Sequence, residues 1–451
     1  MDDIHDSLGV IREGMRRHDA DSLVDAVLHA SRSGALPEGA RLPTITVFAE
    51  SLGLSATTVS RAWASLRQMG VIETNKRGGT RIARPTQATS YRTKAMEQSR
   101  FSHRLAAGYP DPALQVDLRW VLHKVAETAA FPGYPGKDAI SDVLREALIA
   151  RAGYRPEWIM LDAEVIGALP RVLQAVSHRG AAVGIGDPEF PLYPVILRQM
   201  GMSYPPIPFD ERGYDLAAVE SLLRAGVRVF LLQTRVHNPT GLGVPTANLQ
   251  AIGELLRRYD GTAIEVDHHG QLAPEYDVRL ASFAPERVVL LTSFAKDIHP
   301  DVRVSAIYGP HAILDRVSAW RAGGEWVSAI NRAVLEVCLS DTSVDELIAR
   351  ARDEYSARRA VFHSAFEKSD LRIQSNAGLS LWVPVRSEQE ALVHLAADGI
   401  SVARGSAFAI GTKEREPHVH LSLGSVGPHA SSLSARVLHA ALQTPTESGF
   451  Y

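Results

Sequence analysis

The 451-residue sequence predicts an α/β protein: a mostly parallel sheet wrapped in helices, preceded by a small helix-rich module that ends in a β-hairpin. Three observations predict it. From about residue 104 onward, apolar β-type runs (VFLLQT, TAIEVD, VVLLTSF, VSAIYG) alternate with helical stretches such as LQAIGELLRRY, the alternation that builds parallel sheets. Before residue 84 the apolar spacing is helical, and it gives way to a short alternating segment around Gly78 and Gly79. Charge divides at the same place. Residues 41–104 hold eleven Lys and Arg against three Glu, a surplus of eight positive charges, while the whole chain stands at −3, which leaves −11 for the remainder. A basic block on an acidic chain points to one polyanion-binding module.

Composition bounds the rest. At 45% apolar and 22% charged residues the chain is ordinary globular protein, and its length is ample for a large core plus an appended module. Its one cysteine, Cys338, excludes an internal disulfide and a Cys-rich zinc site. The amino terminus MDDIHDSLGV has acids where a signal peptide has positive charge, and no apolar run approaches the ~18 residues of a membrane span. A cytoplasmic protein with no membrane association is expected.

The small module reads in order. DSLVDAVLHASRSG (21–34) places Leu23, Val24, Val27 and Leu28 on one helical face, with Asp21 or Ser22 as N-cap and Gly34 as stop. A second helix runs through Val47, Phe48, Ala49 and Leu52 and closes at Gly53. Ser55 then caps SATTVSRAWASLRQMG, in which Val59, Ala62, Trp63 and Leu66 form a buried stripe while Thr57, Thr58, Ser60 and Arg61 point away. Two short helices on a tight turn are the helix-turn-helix signal. The following VIETNKRGGTRIA is a hairpin with a basic tip, where Lys76, Arg77 and Arg81 are available to phosphates. Together these describe a winged DNA-binding domain over residues 15–84, its partner a double-stranded DNA operator. Residues 85–103 are polar and aperiodic and read as a linker.

In the large module, residues 104–445, polar residues collect at strand ends, where α/β proteins place function. VFLLQT runs into RVHNPTG and presents Asn238; TAIEVD ends at Asp267, followed by His268 and His269; VVLLTSF ends at Ser293, with Lys296 three residues on and Arg303 beyond. A desolvated lysine amine at a sheet mouth suits Schiff-base chemistry. Asn, Asp, Ser-x-x-Lys and Arg in that order meet the needs of pyridoxal 5'-phosphate: a carboxylate for the pyridine nitrogen, an amide for the ring hydroxyl, a lysine for the aldehyde, and Ser and Arg for the phosphate. A zinc site at His268 and His269 is not expected, because neighbouring strand residues face opposite ways and no third ligand is suitably spaced.

Two family resemblances follow from these motifs. LPEGARLPTITVFAESLGLSATTVSRAWASLRQMGVIETNKRGGTRIA resembles the DNA-binding domain of GntR-type bacterial repressors, with Arg41 in the Gly-x-Arg-Leu-Pro turn; Thr44-Ile45-Thr46 stands where that family has Ser-x-Arg. GYPDPAL, GDPEFPLYPV, VHNPTG, EVDHHG, SFAKDIHPDVR and HLSLGS resemble fold-type I aminotransferases. That resemblance implies that Phe190 stacks on the cofactor ring, Asn238 meets its oxygen, Asp267 its nitrogen, and Lys296 forms the internal aldimine, with Ser293 and Arg303 on the phosphate. It also implies that Tyr134 reaches a neighbouring subunit's phosphate, hence a homodimer. The departures matter too. His268 and His269 stand where a tyrosine is usual, either able to reach the ring oxygen; the phosphate loop reads GALPR (167–171); and His420 replaces the arginine that grips a substrate carboxylate, leaving Arg404 as a substitute. Joined, the two parts resemble the MocR subfamily of transcription regulators. The resemblance implies a dimeric regulator that senses a small amine or amino-acid-like ligand through Lys296, with little sustained turnover. The alternative is a working aminotransferase with an accessory DNA-binding domain.

Overall fold

The computed structural model describes residues 2–15, 17–32, 35–36, 39–68, 71–75, 79–82, 101–129, 131, 140–273, 278–321, 326–411 and 416–444. Tyr134, Lys76, Arg77 and residues 83–100, which hold nearly all of the expected linker, lie outside them. The chain forms two compact units, one built on residues 1–96, with the short segments 179–181 and 194–204 grouped with it, and one on the rest.

In the first unit, α1 (Asp2–Gly14), α2 (Ala20–Arg32), α3 (Ile45–Leu52) and α4 (Ala56–Gln68) accompany a small sheet of β1 (Arg41–Leu42), β2 (Ile72–Asn75) and β3 (Gly79–Ile82) in the order β1-β3-β2. The three expected helices and the hairpin are present. α2 starts earlier than the sequence suggests, because the Asp19 carboxylate accepts from the Ser22 N–H at 2.8 Å and so acts as the cap. α1 was not expected; its anchor is Ile11, fully buried in the unit's core. That core is aromatic at its centre, Phe48 meeting Trp63 edge to face at 4.6 Å, with Val59, Ala62 and Leu66 around them. Gly53, at φ +64°, ends α3 in the left-handed conformation that a Cβ disfavours.

The second unit is organised on an eight-stranded sheet in the order β5-β12-β11-β10-β9-β6-β7-β8. Its strands are β5 (Trp158–Asp162), β6 (Val183–Asp187), β7 (Pro206–Asp210), β8 (Gly213–Tyr214), β9 (Val229–Leu232), β10 (Thr262–Asp267), β11 (Val288–Ser293) and β12 (Ser305–Gly309). β7, β6, β9, β10 and β11 run parallel, whereas β12 is antiparallel to both of its neighbours. β9 and β11 are buried at every residue and β10 at all but the first, which is why these segments read as unbroken apolar runs. Parallel register sets their carboxyl ends side by side, Asp267 pairing with Thr292 next to Ser293.

A smaller C-terminal part carries the antiparallel sheet β13 (Ser380–Pro384), β16 (His418–Ser422) and β15 (Ala403–Arg404), the parallel pair β14 (Ile400–Ser401) and β4 (His103–Arg104), and a 25-residue helix, Thr342–Phe366. It is bonded to the Asn238-Pro-Thr-Gly turn: the N–H groups of Asn376 and Ala377 donate to the Gly241 carbonyl at 2.8 and 2.9 Å. Gly241 has φ +65°, and a Cβ there would stand 2.2 Å from the Ser380 carbonyl oxygen, so only glycine allows this approach. Among the described residues, no helix is long and apolar enough to cross a membrane.

Candidate functional site

The first unit presents a polar helix face. On α4, Val59, Ala62 and Trp63 are buried while Thr57, Ser60 and Arg61 are exposed. Thr58 is half-buried and has a local role: its N–H donates to Ser55 Oγ at 3.0 Å and its hydroxyl meets the same oxygen at 2.7 Å, so Ser55 and Thr58 together cap the helix start. Thr44 likewise caps α3, accepting from the Val47 N–H at 3.4 Å. Arg41 is exposed beside Gly79, and cross-strand register pairs it with Arg81, whose guanidinium donates to the Gly39 carbonyl at 3.0 Å. Among the described residues, Arg41, Thr57, Ser60 and Arg61 are the expected ones that lie exposed on this unit's surface, whereas Thr44, Ser55, Thr58 and Arg81 also hold the scaffold.

In the second unit, the strand ends converge on Lys296. Its amine lies 3.4 Å from His269 Nε2, and a Cβ on Gly108 would be 3.9 Å from it. Burial lowers the amine to about 8, against the opposing charge of Asp267, so roughly a tenth of it is neutral at pH 7. Asp267 is buried at the end of β10. Burial works against its charge, but Arg279 at 2.9 Å and Arg235 at 3.3 Å hold it well below the usual carboxylate range. The two histidines that follow part company. His268 turns to Tyr193, hydrogen-bonded at 2.8 Å, and lies 6.1 Å from the Phe190 ring, while His269 faces Lys296. Burial first, and the Lys296 charge second, push His268 down to about 3 and His269 well below its ordinary value, so both are neutral at pH 7.

Several polar atoms in this region await a partner. Asn238 Oδ1, His269 Nδ1 and His420 Nδ1 are buried without a hydrogen bond, and buried polar groups are rarely left so. His420 sits on β16, bonded through Nε2 to Ser380 Oγ at 3.2 Å and tilted against Phe408 at 5.1 Å. Burial, then Lys296, lower it to about 3, so it offers a neutral imidazole where an arginine would offer a charge. Arg404 does not substitute for it. Strand pairing puts Ala403 opposite His420, so Arg404, one residue on, faces the other side of the sheet and is exposed.

The phosphate end differs from expectation. Gly167–Arg171 is not a loop: it lies inside the helix Val165–Val176, and Arg171 pairs with Asp162 at 2.5 Å. The helix starts three residues before Ala168, its N-cap being Glu164, whose carboxylate takes Arg303 at 2.5 Å. Ser293 ends β11 and accepts from the Ala295 N–H at 3.2 Å. An anion at this helix start would meet backbone N–H groups, Ser293 and Arg303, and would share Arg303 with Glu164.

The sequence reading missed three buried groups. Arg235, inside the strand-end run RVHNPTG, is a charge among turn and apolar residues, which was its available signal; Arg279 had none. Glu189, one residue before Phe190, is fully buried and raised to about 8 chiefly by burial; its unpartnered Oε2 lies 4.0 Å from His237 Nε2.

With this geometry in place, the class is settled by comparison. Residues 135–425 match the aminotransferase class I and II family, and residues 19–82 match the gntR family of bacterial regulatory proteins. The chain belongs to the aminotransferase class I and II family and carries a GntR DNA-binding domain ahead of it, the MocR-type architecture. It is similar over nearly its whole length to two regulators. It is 25% identical to the vitamin B6 salvage pathway transcriptional repressor PtsJ of Salmonella typhimurium, across 89% of this chain and 94% of that one. It is also 25% identical to the pyridoxine biosynthesis transcriptional regulator PdxR of Corynebacterium glutamicum, across 86% and 88%. Its fold matches kynurenine aminotransferase of Pyrococcus horikoshii, at a TM-score of 0.71 and 20% identity over 79% of this chain and 95% of that chain.

Proposed function

We propose that this chain is a cytoplasmic, homodimeric transcription regulator that binds operator DNA through its first unit and holds pyridoxal 5'-phosphate on Lys296 in its second. The observation that carries this reading is the buried Lys296 amine, lowered to about 8 and set beside a charged Asp267 at adjoining strand ends. The unpartnered Asn238 Oδ1 and His269 Nδ1 supply what a polar ring would engage, and Phe190 a face for it to pack on. When bound, the cofactor supplies an aldehyde that amines attack and an electron-withdrawing ring. The chain's own residues do the rest. Lys296 would hold the cofactor through its amine, His269 would hold a proton at Nε2 beside that amine, Asn238 would orient the ring hydroxyl, and Ser293 with Arg303 would retain the phosphate. Tyr134 from a second copy completes the phosphate end in this reading.

The effector would be a small amine or amino-acid-like molecule that takes the place of the Lys296 amine, and its binding would shift the populations of the forms that bind DNA. Neutral His420 gives a carboxylate no countercharge, which disfavours ordinary amino-group transfer. The names of PtsJ and PdxR favour a second reading, in which the cofactor itself is the signal. The test is the violet absorption of purified protein incubated with pyridoxal 5'-phosphate, together with its affinity for the DNA upstream of its own gene. A band that vanishes in Lys296→Ala is expected. Its absence from the wild type overturns the cofactor reading, and DNA affinity that responds to the cofactor but to no amine selects the second.

A further inference from the structure

We propose that Arg235 and Arg279 occupy Asp267 so completely that it donates no proton to a bound cofactor's ring nitrogen, making this a site that captures and holds rather than one that carries chemistry onward. The proposal rests on the reading that the second unit holds pyridoxal 5'-phosphate.

A carboxylate offers about four acceptor positions, and all four of those on Asp267 are filled. Oδ1 accepts from the His269 N–H at 3.0 Å and the Gly270 N–H at 2.9 Å. Oδ2 receives Arg279 Nη2 at 2.9 Å and Arg235 Nη1 at 3.3 Å. Neither guanidinium is free to swing away. Arg279 also donates from Nε to the Ala152 carbonyl at 2.7 Å and from Nη2 to the Arg151 carbonyl at 3.1 Å, and Arg235 donates from Nη2 to the Ala273 carbonyl at 2.8 Å. Both arginines are almost wholly buried, so each attraction is strong and each lost bond costly.

Charge balance points the same way. The charged groups around this carboxylate are Arg235, Arg279, Lys296 and the buried acid Asp297, itself paired with Arg151 at 3.0 Å, and beside them stand the neutral His268 and His269. Glu265, the other acid near Arg279, is fully buried, and burial raises it toward the neutral form while Thr234 and the N–H groups of Leu280 and Ala281 bond its oxygens. A protonated ring would set a further cation beside Arg235 and Arg279, with no acceptor left on Asp267 for its N–H. An unprotonated ring draws electrons weakly. Arg235 is thus a positioning residue that acts through Asp267, and the regulator's large unit keeps the aminotransferase fold while weakening the property that drives transamination.

The experiment is nitrogen NMR of full-length protein loaded with pyridoxal 5'-phosphate labelled with ¹⁵N in the ring, since protonated and unprotonated rings give well-separated resonances. The wild type should show the unprotonated resonance at neutral pH, and Asp267→Asn should leave it in place. Arg235→Leu, which frees one acceptor on Oδ2, should shift it toward the protonated position. A wild-type resonance at the protonated position that Asp267→Asn moves to the unprotonated one overturns the proposal, and does so whether or not the arginine variant folds. A bound, protonated ring defeats this inference alone; no bound resonance at all defeats the cofactor reading and this inference with it.

Discussion

Glu189 shows how one buried group ties the pocket to stability. It precedes Phe190, its N–H donates to the Phe408 carbonyl at 2.8 Å, and its carboxyl is raised from 4.5 to about 8 mainly by burial. Between those values the unfolded chain ionises while the folded chain keeps its proton, so the folded state binds more protons and stability falls as pH rises through that window. Glu189→Gln keeps the shape and removes the titration. The variant should match the wild type near pH 5 and exceed it by about 1–3 kcal/mol near pH 8, read from urea midpoints; parallel pH profiles for the two proteins would show that Glu189 ionises freely. Neither this residue nor its neighbour His237 was legible beforehand, because a Glu between a turn proline and a phenylalanine reads as a surface charge. Lys296 was legible, since a lysine three residues beyond an apolar strand has few structural reasons to be there.

At the start of the helix Val165–Val176, an acid occupies a place where a phosphate would otherwise bind alone. Glu164 takes Arg303 and competes with any phosphate for it. Glu164→Gln should therefore tighten pyridoxal 5'-phosphate by roughly fivefold, about 1 kcal/mol, and leave unphosphorylated pyridoxal unchanged; fluorescence titration of both ligands separates the effects. Equal gains for the two would place the phosphate elsewhere. The misassigned loop has a physical cause. Gly167 and Pro170 look like turn residues in the sequence, yet helical packing of Val165, Ala168, Leu169, Val172 and Leu173, all buried, outweighs the cost of both. Conversely, the recognition helix was readable almost residue by residue, since a 3.6-residue stripe on a short surface helix leaves few choices.

Along the whole chain, charge is sorted by segment: residues 41–104 carry a surplus of eight positive charges and the remainder sums to −11. If phosphate contacts dominate, the logarithm of DNA affinity should fall linearly and steeply with the logarithm of salt concentration. The Arg41→Ala/Arg61→Ala double variant should lower that slope by about two, measured by fluorescence anisotropy on the gene's upstream DNA. An unchanged slope would remove both arginines from the interface.

Local sequence was enough to specify the order of helices and strands, the division into a DNA-facing and a pocket-bearing part, and the residues that strand ends would present, because hydrophobic period and turn chemistry act over a few residues. Partnership was decided in three dimensions. That Asp267 is filled by Arg235 and Arg279, that Arg303 rests on Glu164, and that Arg404 faces away from His420 depend on sheet register and on contacts between residues 12 to 139 positions apart. Period and spacing carry no information about such pairs. They arise only when a buried charge must find whichever partner the fold brings within about 3 Å, because leaving it unpaired costs more than any local preference supplies.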